Sequence, residues 1–247
     1  MSETVGEPSP AEADLTLARR RVDALFKRDH QGNLVTLNEL EPVPPPTPAP
    51  RIYLGVTAGG IVRGYRRDVP AALRAAIDGF CDGAGPLVQT QGRFSAALQA
   101  VLTAEAPDEV AWELSTGPAF VFPASMRLSE DITLIERGQA DLLREHFPFT
   151  ATWLRERWPC YAVVVDDQAV SICYSARRTS AVAEAGVDTA EAFRGRGYAA
   201  LVTSAWAHAI RAVGITPVYS TSDDNLASLA VARKLGLREF GWDVQVG

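Results

Sequence analysis

The most regular hydrophobic pattern lies in the second half of the chain. Apolar residues at 198, 201, 202, 205, 206, 209, 210 and 213 repeat at i, i+3, i+4 spacing, the stripe of a half-buried helix starting near Arg194. Gly214 follows as the residue that ends it. Upstream, an apolar run at 161–165 stops at Asp166 and Asp167, a pair suited to a tight turn, and 169–175 resumes the strand pattern. A hairpin is predicted there, and a further strand at 181–187 extends it into an antiparallel meander. Helical segments near 137–145 and 149–157 precede the meander. After the long helix come a strand at 218–221, a short helix at 224–235 closed by Gly236, and a last strand at 239–246.

The first half is less regular. Residues 1–13 are polar and acidic and read as a disordered tail. From Asp14, Leu15, Leu17, Val22, Leu25 and Phe26 alternate with Arg19, Arg20, Arg21, Lys27 and Arg28, which predicts an amphipathic helix. Its basic cluster reads as a solvated face, with a phosphate-binding patch as the alternative. The proline-rich stretch 41–50 favours polyproline II and predicts a stiff spacer. Strand-like runs at 51–56 and 61–66 flank Gly59 and Gly60, a hairpin pattern. Helical patterns at 69–79 and 93–103 and short strands at 110–114 and 119–122 complete an α+β unit in which no chemistry is legible. The expected organisation is therefore a tail at 1–13, an N-terminal α+β domain at 14–127 and a C-terminal α/β domain at 128–247.

Composition narrows the function. Hydrophobic residues make up 47% and charged residues 22% of the 247 positions, globular averages that exclude a fibrous or wholly disordered chain. The net charge is −6, and Glu3, Glu7, Glu12 and Asp14 supply four of those charges in the first 17 residues, so no global basic surface exists for nucleic acid. Cys81, Cys160 and Cys173 are isolated, and no zinc-binding spacing involves His30, His146 or His208. No basic leader followed by an apolar core opens the chain, and no apolar run approaches the ~20 residues that span a bilayer. The expectation is a cytoplasmic protein with no metal, nucleic-acid or membrane partner. Trp153, Trp158, Trp206 and Trp242 read as packing, His208 as solvent-facing, and His146 as a complement to a helix end.

The chemistry concentrates in Arg194-Gly195-Arg196-Gly197-Tyr198-Ala199, between a strand and the long helix. The first amides of a helix have no intrahelical acceptor and sit at the positive end of its dipole. Glycines at 195 and 197 let backbone N–H groups approach one anion, and Arg194 and Arg196 add charge at its rim. The segment reads as a diphosphate cradle. It lacks the Lys-Ser/Thr of a Walker A loop. Gly195-x-Gly197-x-x-Ala200 also fits a dinucleotide fingerprint with Asp223 as ribose acid, so an NAD(P)-dependent oxidoreductase is an alternative. Three features oppose it: about seven residues separate the strand from Gly195, the preceding strands read as antiparallel, and only about 25 residues follow Asp223.

At these residues the sequence resembles the Gcn5-related N-acetyltransferase (GNAT) superfamily, and its FR47-like branch in particular, over roughly residues 130–247. The family's coenzyme loop, Arg/Gln-x-x-Gly-x-Gly/Ala, is matched by Arg194, Gly197 and Ala199, preceded by Thr189 and Phe193. Asn225, Ser228 and Lys234-Leu235-Gly236 match its second signature in order and spacing. The resemblance implies a mixed, mostly antiparallel sheet flanked by helices. It implies acetyl-CoA as co-substrate, its pyrophosphate held by Arg194, Gly195, Arg196, Gly197, Tyr198 and Ala199. The pantetheine arm would lie along Val187, Asp188 and Thr189, with Asn225 and Ser228 on its other side and an acyl slot between the Val187 strand and the Tyr219 strand. The family's usual proton-donating Tyr corresponds to Ala232 here, which leaves Tyr198 or Tyr219 as donor, or none.

Acetyl transfer to nitrogen sets a further demand. An amine of pKa ~10.4 is free in only about one molecule in a thousand near pH 7.5, a deficit of ~4 kcal/mol, so a proton acceptor is needed. Glu184, on the strand feeding the slot, is the candidate general base, with a cross-strand bond to Arg177 or Arg178 as its structural alternative. No cysteine has a His–acid pair, so direct attack in a ternary complex is expected. The acceptor reads as a small-molecule amine, a cationic one being favoured by the acidic net charge, and a homodimer is compatible with the resemblance. A catalytically silent coenzyme-binding sensor is the second reading, suggested by Ala232 and the large N-terminal half.

Overall fold

The computed structural model describes residues 8–42, 44–106, 112–126, 129 and 132–247. In chain order the described elements are α1 (Pro10–Leu25), β1 (Phe26–Arg28), β2 (Leu34–Leu37), β3 (Ile52–Thr57), β4 (Gly60–Tyr65), α2 (Ala71–Gly83), α3 (Gln91–Glu105), β5 (Leu114–Val121) and β6 (Thr133–Leu134). They continue with α4 (Pro148–Thr152), β7 (Tyr161–Val165), β8 (Gln168–Arg178), β9 (Val182–Thr189), α5 (Tyr198–Ala212), β10 (Thr216–Ser220), α6 (Leu226–Lys234) and β11 (Arg238–Val246). Two compact units emerge, and they interleave along the chain. The first comprises Met1–Thr36, Pro48–Pro118 and Phe240–Gly247; the second comprises Leu37–Thr47 and Ala119–Glu239. A single cut at 127/128 therefore does not describe the compact units. The proline-rich stretch is counted largely with the second unit and the last strand with the first.

In the first unit, α1 begins four residues earlier than the sequence pattern predicts. Ser9 and Glu12 form a reciprocal capping box, Ser9 N donating to Glu12 Oε2 at 2.8 Å, with Pro10 in the first turn. Residues 10–13 are thus helical, and residues 1–7 of the expected tail lie outside the described residues. Strand β3 pairs antiparallel with β4 and β11. On this sheet α2 and α3 pack Leu73, Ile77, Phe94, Leu98 and Leu102 against Leu54, Val56, Trp242 and Val244. Arg21 corrects the solvated-face reading: it is 2% exposed, and its Nη1 donates to both carboxylate oxygens of Asp243 at 2.7 and 2.8 Å. Tyr53 donates to the same carboxylate at 2.7 Å. The strands expected at 110–114 and 119–122 are one strand, β5, running through Pro118; residues 110 and 111 lie outside the described residues.

The second unit is a mixed, mostly antiparallel sheet between helices. Its strand order runs from the end of β5 through β10, β9, β8 and β7 to β6, and among the described residues only β9 and β10 of these run parallel. The β7–β8 hairpin turns at Asp166 and Asp167, with φ of 48° and 60°; short acidic side chains tolerate that left-handed backbone. Val202, Trp206 and Ile210 of α5 bury one sheet face against Val163, Val170 and Ala183. On the opposite face, Ile135, Leu143, Phe147 and Leu154 cover Ala162, Ala169 and Ile172. The Trp206 indole N–H donates to Ser175 Oγ at 3.2 Å, so its full burial leaves no polar group unsatisfied. The proline-rich stretch is anchored at its first residue: Glu41 is buried and ion-paired with Arg157, whose guanidinium lies over the rings of Phe149 and Tyr174 at 4.6 and 4.2 Å.

Candidate functional site

The parallel ladder between β9 and β10 is short. It joins Val182, Ala183 and Glu184 to Thr216, Pro217 and Val218 and then ends. Beyond it β9 continues to Thr189 paired with β8, while Tyr219 and Ser220 pair with β5. The two strands part, and a cleft of about 680 Å³ runs from the gap toward the start of α5.

The backbone at the far end of this cleft has an uncommon geometry. After a 3₁₀ turn at Glu191–Phe193, Arg194 is extended, Gly195 and Gly197 take φ of 76° and 82°, and α5 begins without a side-chain cap. Among the described residues, the backbone N–H groups of 195–200 donate to no protein acceptor. They form a run of donors without protein partners at the positive end of a 15-residue helix. Arg194 Nε donates to the Thr189 carbonyl at 3.3 Å, and Arg196 donates to the Ala192 carbonyl at 3.2 Å while lying over the Phe193 ring. Among the described residues no carboxylate pairs with either guanidinium.

All eleven residues expected at a coenzyme site line this one cleft. Val187, Asp188 and Thr189 supply the β9 wall, Arg194, Gly195, Arg196 and Gly197 the loop, Tyr198 and Ala199 the first turn of α5, and Asn225 and Ser228 the α6 wall. Several also have structural partners. Asn225 Oδ1 caps α6 by accepting from Ser228 N at 3.0 Å. Thr189 Oγ1 lies 2.8 Å from Ser171 Oγ, and Asp188 accepts from the Tyr174 hydroxyl at 3.1 Å. That last bond depends on Gly186, since a Cβ there would overlap the Tyr174 ring.

Glu184 occupies a different place. It is 3% exposed, does not line the cleft, and accepts a hydrogen bond from Ser220 Oγ where the two strands part. Arg177 stands opposite it in register, while Arg178 gives its Nη1 to the Trp158 carbonyl. Sequence reading did not find Ser220, because only the register of β10 brings it to the carboxylate. Ala232 is buried in the same apolar cluster as Tyr219, and the Tyr219 hydroxyl reaches the Ser228 carbonyl at 3.4 Å. Burial raises the Tyr219 phenol above its ordinary pKa, so it stays protonated at neutral pH.

The cysteines are poor nucleophiles. All three are buried as free thiols; burial pushes Cys160 up to about 12 and Cys81 up to about 11, and Cys173 well above its ordinary value. Among the described residues no group of three or more His, Cys, Asp or Glu could hold a metal, and no helix is long and apolar enough to cross a membrane. The glycine loop does not follow its strand directly, and β7, β8 and β9 are antiparallel, so the frame of a dinucleotide-binding unit is not built.

Comparison with known proteins bears on this geometry. The family described as GNAT acetyltransferase matches residues 132–241. Comparison with curated proteins gives no significant match. Among solved structures, an acetyltransferase of the GNAT family from Colwellia psychrerythraea aligns at 14% identity and TM-score 0.46, covering 95% of this chain and 96% of that one. A Gcn5-related N-acetyltransferase-like protein from Streptococcus suis aligns at 20% identity and TM-score 0.45, covering 62% and 69%. A GNAT-family protein from Novosphingobium aromaticivorans aligns at 18% identity and TM-score 0.44, covering 54% of this chain, which spans 64% of that protein's length. The cleft and every residue that lines it fall inside the segment, 132–241, that is similar to the GNAT acetyltransferase family.

Proposed function

We propose that the protein is an acetyl-CoA-dependent N-acetyltransferase that passes an acetyl group directly to the amine of a small-molecule acceptor. The observation that carries this reading is the row of acceptor-free N–H groups at 195–200, set in a cleft beside Arg194 and Arg196. Such a corner suits a diphosphate: the donors converge on one anion, the glycines leave no Cβ in its way, and two guanidiniums supply countercharge. The β9 edge freed by the early end of the parallel ladder offers backbone groups at Val187–Thr189 to an amide-bearing arm. The thioester of the coenzyme, when bound, supplies an acyl group activated toward nitrogen.

The chain's own residues then handle protons. The acceptor must lose one to become nucleophilic, a deficit of ~4 kcal/mol at neutral pH. Ser220 can take that proton while giving its own to Glu184, a hydroxyl relay from the parting of the strands to the buried carboxylate. Tyr219, held protonated by burial and lining the cleft, is the donor we assign to the departing thiolate. Holding amine and thioester together contributes ~7 kcal/mol or more without a covalent enzyme intermediate.

Isothermal titration with acetyl-CoA, followed by thiol release in the presence of an amine panel, tests this. Binding with thiol release dependent on one amine class is expected; no binding at high micromolar coenzyme would overturn it. Binding without turnover on any amine would favour the silent coenzyme sensor, a reading that the burial of Glu184 away from the cleft lining and Ala232 support.

A further inference from the structure

Lys234 closes α6, where a lysine is ordinarily explained by its own helix's negative C-terminal end. Its ammonium goes elsewhere. A Cβ added to Gly197 would overlap Lys234 Nζ, so the ammonium rests against the backbone that opens α5. This is the positive end of another helix, a place that repels a cation. Arg194 and Arg196 stand on the same loop, and among the described residues none of these three cations has a carboxylate partner. Acidic side chains are close in sequence, yet Asp188 is engaged by Tyr174 and Glu191 makes no ion pair with any of the three. Three like charges, all open to water, and a row of free N–H donors around one cleft end make a field that attracts a polyanion.

We infer that Lys234 is a specificity-determining residue of the coenzyme site, clamping the diphosphate from the α6 side while the glycine loop holds it from the α5 side. The inference rests on the coenzyme reading proposed above and adds a residue that reads the charged nucleotide half of the coenzyme rather than its acyl arm. It also gives Gly197 a second role besides its positive φ: a side chain there would displace the clamp.

Titrations of wild type, K234M and K234R with coenzyme A, dephospho-coenzyme A, pantetheine and inorganic pyrophosphate test it. K234M is expected to weaken coenzyme A, dephospho-coenzyme A and pyrophosphate about tenfold each, the scale of one charge-assisted hydrogen bond. Pantetheine binding should not change, and K234R should stay within about threefold of wild type because it keeps the charge. Equal weakening of pantetheine, or coenzyme A binding by K234M within about twofold of wild type, would overturn the clamp. A loss seen with coenzyme A but absent with dephospho-coenzyme A would overturn the diphosphate assignment in favour of the 3′-phosphate. If wild type binds pyrophosphate but not coenzyme A, the coenzyme reading fails while a pyrophosphate loss in K234M still supports the clamp. If it binds neither, both fall.

Discussion

The two units of this protein treat positive charge in opposite ways. In the first, Arg21 is 2% exposed and its guanidinium is answered at once by Asp243, which Tyr53 also supports. In the second, Arg194, Arg196 and Lys234 surround a cleft end and meet carbonyls or bare backbone, never a carboxylate, among the described residues. A buried charge without its partner would cost several kcal/mol, so the first arrangement belongs to folding. An open charge without a partner costs little in water and remains available, so the second suits the coenzyme binding proposed above. The same residue types therefore do different work, and burial together with pairing tells them apart.

Substitutions can break or sharpen this contrast. The largest effect is expected for Asp243→Ala, which strands the Arg21 charge and should lower unfolding stability by about 3–5 kcal/mol in urea denaturation. A loss under 1 kcal/mol would mean that the buried pair is not the brace it looks to be. Next, Glu184→Gln should lower kcat by about a hundredfold while coenzyme affinity holds, and should remove the acidic limb of the pH–rate profile. A fall in stability with normal turnover would instead make Glu184 a structural partner of Ser220. Arg194→Ala and Arg196→Ala should each weaken coenzyme A about tenfold while leaving the thermal midpoint in place, the mirror image of the Asp243 result.

The smallest effect concerns Glu239. Partial desolvation of its carboxyl, with the nearby Asp223 carboxylate adding to it, raises its pKa. A raised carboxyl favours the folded state while protonated, and that contribution fades as pH climbs through the folded value. Glu239→Gln should therefore raise Tm slightly at pH 7, with the gain vanishing near pH 4, as a pH series of melting curves would record.

Much of the second unit was legible because its signals are local. The stripe of α5, the Asp166–Asp167 turn and the glycine pair each act within one helix or one turn, and the structure places them much as the spacing predicts. The start of α1 was legible too, in Ser9 and Glu12, but the acidic composition around them pointed to a tail instead. The helix expected at 149–157 shrinks to Pro148–Thr152, followed by turns. Arg157, just beyond it, is bound to Glu41, 116 positions away in the sequence, and no window around either residue predicts that meeting.

By itself the sequence determined the strand and helix periods and the glycine-hinged turn into α5 at 194–199, because these depend on backbone torsion and on neighbours a few residues apart. Only the tertiary structure decided that Arg21 is buried, that Glu184 sits behind Ser220 rather than in the cleft, that Lys234 reaches Gly197, and that the two units interleave. Those outcomes depend on strand register and on contacts across long stretches of chain. There, one residue of slip turns a side chain to the opposite face of a sheet.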